Sequence, residues 1–150
     1  MQLALPLPED TRRLACALAG TLGGTETIAL RGPLGAGKTF FVRELCLALG
    51  VRDNVSSPSY VLLHEYDAPG YTVHHFDLYR LESEEEVWEL GLRELLGQGL
   101  VLIEWPELAL PLLPAGTIHI GLQHAQSGRT AQLHGPAEWL GRLEALWREA

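Results

Sequence analysis

Eight consecutive residues of this chain have the types and spacing that hold a phosphate group. They read GPLGAGKT and comprise Gly32, Pro33, Leu34, Gly35, Ala36, Gly37, Lys38 and Thr39. Glycines let the backbone turn tightly and aim successive N–H groups at phosphate oxygens. Lys38 is spaced to reach the β and γ phosphates of a nucleotide, and the Thr39 hydroxyl is spaced to bind Mg²⁺. The pattern predicts a phosphate-binding loop (P-loop).

A P-loop connects a strand to a helix, and the flanking sequence predicts both elements. Thr25–Leu30 has the pattern of a strand, and Lys38–Leu49 has the pattern of a helix that ends at Gly50. One face of this helix is apolar, with Phe41, Leu45, Ala48 and Leu49. The alternative is an accidental Gly-Lys-Thr sequence in a glycine-rich turn, which the two flanking elements disfavour.

A second metal-side carboxylate is expected at the end of a neighbouring buried strand. Leu100–Ile103 is an apolar run, and Glu104 follows it directly. Ligands of open α/β sheets bind at the carboxyl ends of the strands, so Glu104 is the candidate. Two observations leave an alternative open, namely that any acid can end a strand and that Asp is commoner than Glu in this role.

Asp77 is the candidate for orienting the water molecule that attacks the γ-phosphate, or for holding a metal-bound water. Strand alternation places His75, Asp77 and Tyr79 on one face, with Phe76 and Leu78 on the other. The alternative is a structural acid paired locally with Arg80. A zinc site at His74, His75 and Asp77 is weakly indicated, because adjacent histidines point to opposite faces.

Two further features lie near the expected phosphate site. Residues 56–60 read SSPSY, a hydroxyl-rich segment that includes Ser59 and either closes over the γ-phosphate or forms an ordinary turn. Trp105 follows Glu104 and either packs on the nucleotide, contacts a partner protein or is a buried aromatic. No Asn-Lys-x-Asp sequence occurs to recognise guanine, so ATP is the expected nucleotide.

The remaining segments predict further strands and helices. Gln2–Leu5 is expected to be extended and to precede a helix that begins near Pro8 and is capped by Thr11. Runs over Tyr60–Tyr66 and Tyr71–Tyr79 flank a Pro-Gly turn and predict a β-hairpin.

Beyond the hairpin, the pattern predicts a short helix, three strands and a closing helix. Ser83 and Glu86 form a capping-box pattern, and strands are predicted at Leu100–Ile103, Thr117–Gln123 and Thr130–Leu133. The last helix carries an apolar stripe of Trp139, Leu140, Leu143, Leu146 and Trp147. We expect an α/β, P-loop NTPase-like three-layer fold, in which a mainly parallel central sheet has antiparallel hairpin additions.

Composition narrows the function classes. A chain of 150 residues, 47% of them hydrophobic, suits one P-loop ATPase domain over residues 1–150. The formal net charge of −8 disfavours autonomous nucleic-acid binding. No apolar run approaches the roughly 18 residues that span a bilayer, so a cytoplasmic protein without a membrane partner is expected. Cys16 and Cys46 lack metal or disulfide spacing and are expected to be buried free thiols.

Five segments in order resemble the bacterial TsaE (YjeE) family. They are GPLGAGKT, SSPSY, HHFDLYR, RLESEEEVWELGL and LVLIEWPE, and the similarity covers nearly the whole chain. Members of this family are small ATPases required for threonylcarbamoyladenosine formation at position 37 of tRNAs that read ANN codons. The resemblance implies that Lys38 and Thr39 hold ATP and Mg²⁺, that Glu104 completes the metal site, that Asp77 is needed for hydrolysis and that Trp105 matters to function.

The resemblance also implies protein partners. TsaB-like and TsaD-like proteins would carry out the tRNA chemistry, and ATP hydrolysis by this chain would reset their complex, so that tRNA is involved only indirectly. One departure is Ser59, where the family usually has Thr. The hydroxyl is kept, and little functional change is expected, although the lost methyl group could loosen the segment.

A compact small-molecule kinase is the alternative from another function class. In that case Asp77 would act as the base for a substrate hydroxyl. The chain has no arginine-rich lid segment, since Arg93, Arg129, Arg142 and Arg148 are not clustered. This observation favours a partner-activated ATPase.

Overall fold

A seven-stranded mixed sheet forms the centre of the computed structural model, which describes residues 1–150. The strands lie in the order β1-β7-β6-β2-β5-β4-β3. Their bounds are β1 Gln2–Leu5, β2 Thr27–Arg31, β3 Leu63–Ala68, β4 Tyr71–Asp77, β5 Leu100–Glu104, β6 Ile118–His124 and β7 Arg129–His134. The central pairs β6-β2, β2-β5 and β5-β4 are parallel, and the outer pairs β1-β7, β7-β6 and β4-β3 are antiparallel. The predicted mainly parallel centre with antiparallel additions is confirmed.

Helices cover both faces of the sheet and make the fold three-layered. The helices are α1 Pro8–Ala19, α2 Lys38–Ala48, α3 Glu84–Glu89, α4 Leu92–Leu95 and α5 Ala137–Glu149, with a 3-10 helix over Pro106–Leu112. The larger core packs α1, α2 and α5 on one face. The smaller core packs α3, α4 and the 3-10 helix on the other face, against β4 and β5. No helix is long and apolar enough to cross a bilayer.

The register of the parallel strands determines where the site lies. In β4 and β5, Asp77 pairs with Glu104, and in β5 and β2, Glu104 pairs with Leu30. Strand β2 ends one residue later, at Arg31, and Gly32 begins the loop that leads to α2. The two acids therefore lie side by side at the carboxyl edge of the sheet, next to the glycine loop.

The structure corrects boundaries of both hairpin strands. The first strand begins at Leu63 rather than at Tyr60, because residues 59–62 form a turn that Leu62 ends with a φ of 70°. The second strand ends at Asp77, so Tyr79 lies beyond it. The hairpin itself is confirmed, with a turn at Pro69-Gly70 between the paired residues Ala68 and Tyr71.

The predicted cap of α1 is wrong. The helix begins at Pro8, and Thr11 is buried inside its first turn. The Asp10 carboxylate instead accepts a hydrogen bond from the Leu7 N–H at 2.9 Å. An acid in the first turn accepts a hydrogen bond from an otherwise unpaired N–H group and interacts favourably with the positive end of the helix dipole. Asp10 therefore performs the role expected of Thr11.

Two other side-chain predictions are also corrected. Cys16 is exposed, because the buried stripe of α1 passes through Leu14, Ala15 and Leu18, whereas Cys46 is buried as expected. On α2, Ala48 is exposed, and the residues that enter the core are Phe41, Val42, Leu45 and Cys46. The closing helix has its predicted apolar stripe, with Trp139 and Leu143 buried.

Candidate nucleotide site

The glycine loop adopts a conformation that its sequence requires. Gly32, Gly35 and Gly37 have φ values of 148°, 75° and 99°, in the left-handed region that residues with a Cβ rarely adopt. At Gly32 a Cβ would lie 2.4 Å from the carbonyl oxygen of Leu122. Gly37 caps α2, so the loop delivers its last N–H groups at the positive end of that helix. The predicted strand-loop-helix setting is confirmed.

Lys38 is buried and folded back over the loop. Its ammonium group donates hydrogen bonds to the carbonyl oxygens of Gly32 and of Pro33, the second at 3.1 Å. It also lies 4.0 Å from the centre of the Trp105 ring. Burial lowers the pKa of Lys38, while the negative charges of Glu104 and Asp77 act in the opposite direction. The group is positioned to exchange loop carbonyls for phosphate oxygens.

Thr39 and Glu104 form the predicted oxygen pair. The Thr39 hydroxyl donates to Glu104 Oε1 at 3.0 Å, across 65 residues of sequence. Mg²⁺ prefers hard oxygen donors and is usually held in nucleotide sites by one or two protein groups together with phosphates and waters. A hydroxyl and a carboxylate beside a P-loop fit that donor set.

Glu104 is held from its other side by a buried histidine that the sequence interpretation did not select. His75 Nε2 lies 2.7 Å from Glu104 Oε2, and His75 is fully buried. His75 Nδ1 lies 3.2 Å from the hydroxyl of Tyr66, on the neighbouring strand β3. Strand alternation placed His75 on the polar face, but the contact with Glu104 depends on the parallel pairing of β4 with β5, which the sequence does not show.

Asp77 is buried at the same edge of the sheet and binds the hydroxyl-rich residues 56–60, the serine segment. Its Oδ2 accepts hydrogen bonds from Ser57 at 3.1 Å and from Ser59 at 2.9 Å. Its Oδ1 accepts from the backbone N–H of Tyr79 at 2.9 Å. Arg80 instead lies over the ring of Tyr60 at 4.1 Å, so the alternative of a local Asp77–Arg80 ion pair is wrong for this structure.

Trp105 covers the Lys38 side of the site. The residue is half-buried and has a φ of 55°, which turns the chain sharply after β5. Its ring also lies against the Tyr79 ring, with 4.8 Å between centroids. The alternative of a buried core aromatic is wrong, since Trp105 belongs to neither apolar core.

Most of the predicted residues line one cavity, whereas Gly32, Pro33 and Ala36 of the loop do not. It has a volume of about 240 Å³, and Lys38, Thr39, Asp77, Glu104 and Trp105 contribute to its walls. The loop and the serine segment also contribute to its walls, with Leu34, Gly35, Gly37, Ser57 and Ser59. The structure therefore brings together residues that lie up to 71 positions apart in sequence, from Leu34 to Trp105.

A second, more apolar cavity lies on the other side of the loop. It has a volume of about 260 Å³ and shares Gly37 and Phe40 with the first cavity. Its other walls are Leu5, Pro6, Leu7, Pro8, Thr11, Ala36, Leu122, Gly128 and Arg129. Arg129 donates hydrogen bonds to the carbonyl oxygens of Ala36 at 3.1 Å and of Gly35 at 3.0 Å, which secures the loop. No sequence signal connects Arg129 to the loop, because only the folding of β7 beside β6 brings it there.

The weakly indicated zinc site is not formed. His74 and His75 point to opposite faces of β4, and His74 Nδ1 lies 2.8 Å from Glu65 Oε2. No three His, Cys, Asp or Glu side chains are grouped so that they could hold a metal ion.

Comparison with known proteins gives one consistent result. Residues 5–131 match the sequence model of the family described as "Threonylcarbamoyl adenosine biosynthesis protein TsaE". The chain is 44% identical to the tRNA threonylcarbamoyladenosine biosynthesis protein TsaE of Rickettsia bellii over 81% of this chain and 85% of that protein. It is 36% identical to the protein of the same name from Bacillus subtilis, over 79% of this chain and 74% of the relative.

A solved structure extends the similarity to the fold. Bacillus subtilis YdiB superposes with a TM-score of 0.73 and 26% sequence identity, over 99% of this chain and 96% of that one. The resemblance noted from the five sequence segments is therefore confirmed over most of the chain. The glycine loop, the P-loop NTPase-like fold and these relatives together support nucleotide binding, and this chain belongs to the TsaE family.

Proposed function

We propose that this chain, acting as one domain, binds ATP with Mg²⁺, hydrolyses it slowly on its own, and uses the hydrolysis to support threonylcarbamoyladenosine formation on tRNA. The observation that carries the proposal is the convergence of Lys38, Thr39, Asp77 and Glu104 on one cavity beside the glycine loop. The relatives named as tRNA threonylcarbamoyladenosine biosynthesis proteins support the pathway, and the pathway supports a cytoplasmic location.

Charge balance favours a metal-bound nucleotide. The cavity has one cation, Lys38, and two acids, Asp77 and Glu104. The two carboxylates would repel a triphosphate that carries no metal. Two like charges 4 Å apart repel each other by about 4 kcal/mol at an effective dielectric constant of ~20. Thr39 and Glu104 would hold Mg²⁺, which supplies charge neutralisation for the phosphates and orients them.

Each residue of the site has a separate role in the proposed reaction. Lys38 transfers its hydrogen bonds from the loop carbonyls to the β and γ phosphates. Asp77, fixed by Ser57, Ser59 and the Tyr79 N–H, orients the attacking water with its carboxylate. Trp105 covers Lys38 and keeps solvent from that side of the phosphates.

The apolar cavity is proposed to receive the nucleotide base. It adjoins the phosphate cavity through Gly37 and Phe40, as a base pocket must if one nucleotide occupies both cavities. Phe40 offers a ring for stacking, and Thr11 offers a hydroxyl for hydrogen bonding. The absence of an Asn-Lys-x-Asp sequence in the chain agrees with adenine rather than guanine.

Partner proteins are proposed to complete the site. The phosphate cavity is open, and no arginine lines it, although a cation on the γ-phosphate typically accelerates hydrolysis by about 10³–10⁵. TsaD-like and TsaB-like proteins are the proposed partners, and they would bring the tRNA, which this acidic chain would meet only through the complex.

Phosphate release tests the proposal. The purified chain should release phosphate from ATP slowly, and addition of TsaB-like and TsaD-like proteins should accelerate it at least tenfold. A rate that does not respond to the partners would contradict the partner-activated ATPase. If a small hydroxyl compound instead became phosphorylated in their absence, the kinase alternative would be correct.

A further inference from the structure

The carboxylate of Glu104 is held on both sides before any metal arrives. One oxygen accepts from Thr39 at 3.0 Å, and the other lies 2.7 Å from His75 Nε2. Glu104 is 2% exposed and His75 is 0% exposed, so water cannot replace the contact between them, whereas the Thr39 side of the carboxylate faces the phosphate cavity. A buried charged group without a hydrogen-bond partner is strongly destabilised, which makes the His75 contact important to the ionised form of Glu104.

A tyrosine on the neighbouring strand fixes the imidazole of His75. An ionised carboxylate only accepts hydrogen bonds, so the proton of a neutral imidazole lies on Nε2, facing Glu104. Nδ1 is then an acceptor, and the Tyr66 hydroxyl lies 3.2 Å from it. Tyr66 is itself 4% exposed, and His75 Nδ1 shares its single hydroxyl proton with the carbonyl oxygen of Ser56, 3.3 Å away at the start of the serine segment. The three side chains therefore form a buried chain across β3, β4 and β5.

All three groups are carried by strands rather than by loops. Tyr66 belongs to β3, His75 to β4 and Glu104 to β5, and these are adjacent strands of one sheet. A free glutamate side chain loses about 1.5–2 kcal/mol of rotamer entropy when it is ordered. Here that ordering has taken place in the folded protein, so it does not have to accompany metal binding.

We propose that His75 is a positioning residue for Glu104, and that Tyr66 in turn holds His75. With its Oε2 bound by His75, Glu104 presents Oε1 beside the Thr39 hydroxyl, where the proposed Mg²⁺ site lies. This inference rests on the proposed function, because it concerns how tightly the chain holds Mg²⁺ with its nucleotide. His75 itself contacts neither the phosphates nor the metal.

Two amide substitutions of different length separate positioning from packing. In His75→Gln the amide nitrogen can take the place of Nε2 and keep the donor to Glu104, whereas in His75→Asn the amide reaches only the place of Nδ1. Both changes remove the ring and leave a polar amide in the core. A merely structural role would lower nucleotide affinity equally in Mg²⁺ and in EDTA, and His134→Asn, at an exposed position on β7, is the matched control.

The free Mg²⁺ concentration that half-saturates nucleotide binding is the quantity to measure. Calorimetric titration would use the non-hydrolysable analogue adenylyl-imidodiphosphate at a series of buffered Mg²⁺ concentrations and in EDTA. In His75→Asn the half-saturating Mg²⁺ concentration should rise about 10–100-fold, the usual effect of removing a group that orients a metal ligand. Affinity in EDTA should stay within about twofold of wild type, and His75→Gln should restore the Mg²⁺ dependence to within about threefold.

Three results would overturn the inference. They are an unchanged Mg²⁺ dependence in folded His75→Asn, equal defects in the Asn and Gln variants, and an equal loss of affinity in EDTA. Thermal melting shows whether each variant is folded. If His75→Asn does not fold, Tyr66→Phe replaces it, with an expected rise of about 2–5-fold in half-saturating Mg²⁺ and no rise as the opposing result. A wild-type chain whose nucleotide binding ignores Mg²⁺ would overturn the proposed function itself, and this inference with it.

Discussion

Replacing Asp77 by Asn should separate nucleotide binding from hydrolysis. The substitution removes one negative charge and keeps the shape of the side chain. In the structure Asp77 accepts three hydrogen bonds, from Ser57, Ser59 and the Tyr79 N–H. The Asn oxygen can still accept from Tyr79, and its two N–H groups can donate to the two serine hydroxyls, which also act as acceptors. All three contacts therefore survive with the polarity of two of them reversed.

The structural cost of this variant should be small. Loss of the charge assistance weakens the hydrogen bonds, and a decrease in the free energy of unfolding of about 1–2 kcal/mol is expected. Asp77→Ala would remove all three acceptor contacts and leave the Tyr79 N–H without its side-chain partner, at a cost on the order of 2–4 kcal/mol. Because the free energy of unfolding of a domain is only about 5–15 kcal/mol, the Asn variant is the better test of mechanism.

The catalytic cost should be larger. A group that orients or deprotonates the attacking water typically contributes about 10²–10⁴-fold. This range corresponds to about 3–5 kcal/mol of activation free energy at 1.36 kcal/mol for each factor of ten. Nucleotide affinity should be equal to that of wild type or tighter, because the variant removes a negative charge from the cavity that receives the phosphates.

The assay combines phosphate release in the presence of the partner proteins, calorimetric affinity for ATP with Mg²⁺, and thermal melting, all on one preparation. Asp67→Asn is the matched control, since Asp67 is an exposed acid near the far end of the same hairpin. A folded Asp77→Asn variant that hydrolyses ATP at the wild-type rate would refute the role assigned to Asp77. A loss of more than tenfold in affinity would instead place Asp77 among the groups that bind the metal or the phosphates.

Three further substitutions and one labelling experiment have definite expected outcomes. Lys38→Ala should abolish ATP binding measurable by calorimetry, since it removes the charge-assisted contact to the phosphates. A variant that binds ATP with wild-type affinity would show that Lys38 does not hold the phosphates. Glu104→Gln should weaken binding in Mg²⁺ by at least tenfold and leave affinity in EDTA nearly unchanged, and equal changes under both conditions would make Glu104 structural. Phe40→Ala should weaken ATP and ADP equally by about 3–30-fold if its ring stacks on the base, whereas unchanged affinities would exclude the apolar cavity as the base pocket. Burial raises the pKa of the Cys46 thiol to about 12, above its ordinary value of 9.0, so the unfolded chain loses this proton first and the fold is destabilised as pH rises from 9.0 towards 12. Iodoacetamide at pH 8 should therefore label the exposed Cys16 and leave Cys46 unlabelled until the protein unfolds. Mass spectrometry of the alkylated peptides would show which cysteine is labelled.

The glycine loop was predictable because its constraints are local. Gly32, Gly35 and Gly37 each need a positive φ, and the strand and helix that flank them are set by neighbouring residues. The same holds for Glu104 at the end of an apolar run and for Asp77 at the end of a strand. Strand ends can be recognised from alternation and apolar runs alone, and the carboxyl ends of parallel strands meet at one edge.

Other parts of the site depend on contacts that sequence patterns do not encode. The His75–Glu104 contact joins two strands, and the Arg129–Ala36 contact joins a strand to the glycine loop. Both depend on the order of the strands in the sheet, which is set by the whole topology. The first strand of the hairpin was predicted too long because Tyr60 and Val61 have high strand propensity, yet they lie in an exposed turn that follows Pro58. Local propensity was overridden there by the hydrogen bonds that tie Ser57 and Ser59 to Asp77.

A crystal structure of the chain with adenylyl-imidodiphosphate and Mg²⁺ would show whether the nucleotide occupies the proposed site. Lys38 should leave the carbonyl oxygens of Gly32 and Pro33 for the β and γ phosphates, and Thr39 and Glu104 should be the protein groups nearest to the metal. The adenine ring should occupy the cavity beside Phe40. A nucleotide bound elsewhere on the chain, or a Lys38 that still binds the loop carbonyls beside an occupied phosphate site, would refute the proposed site.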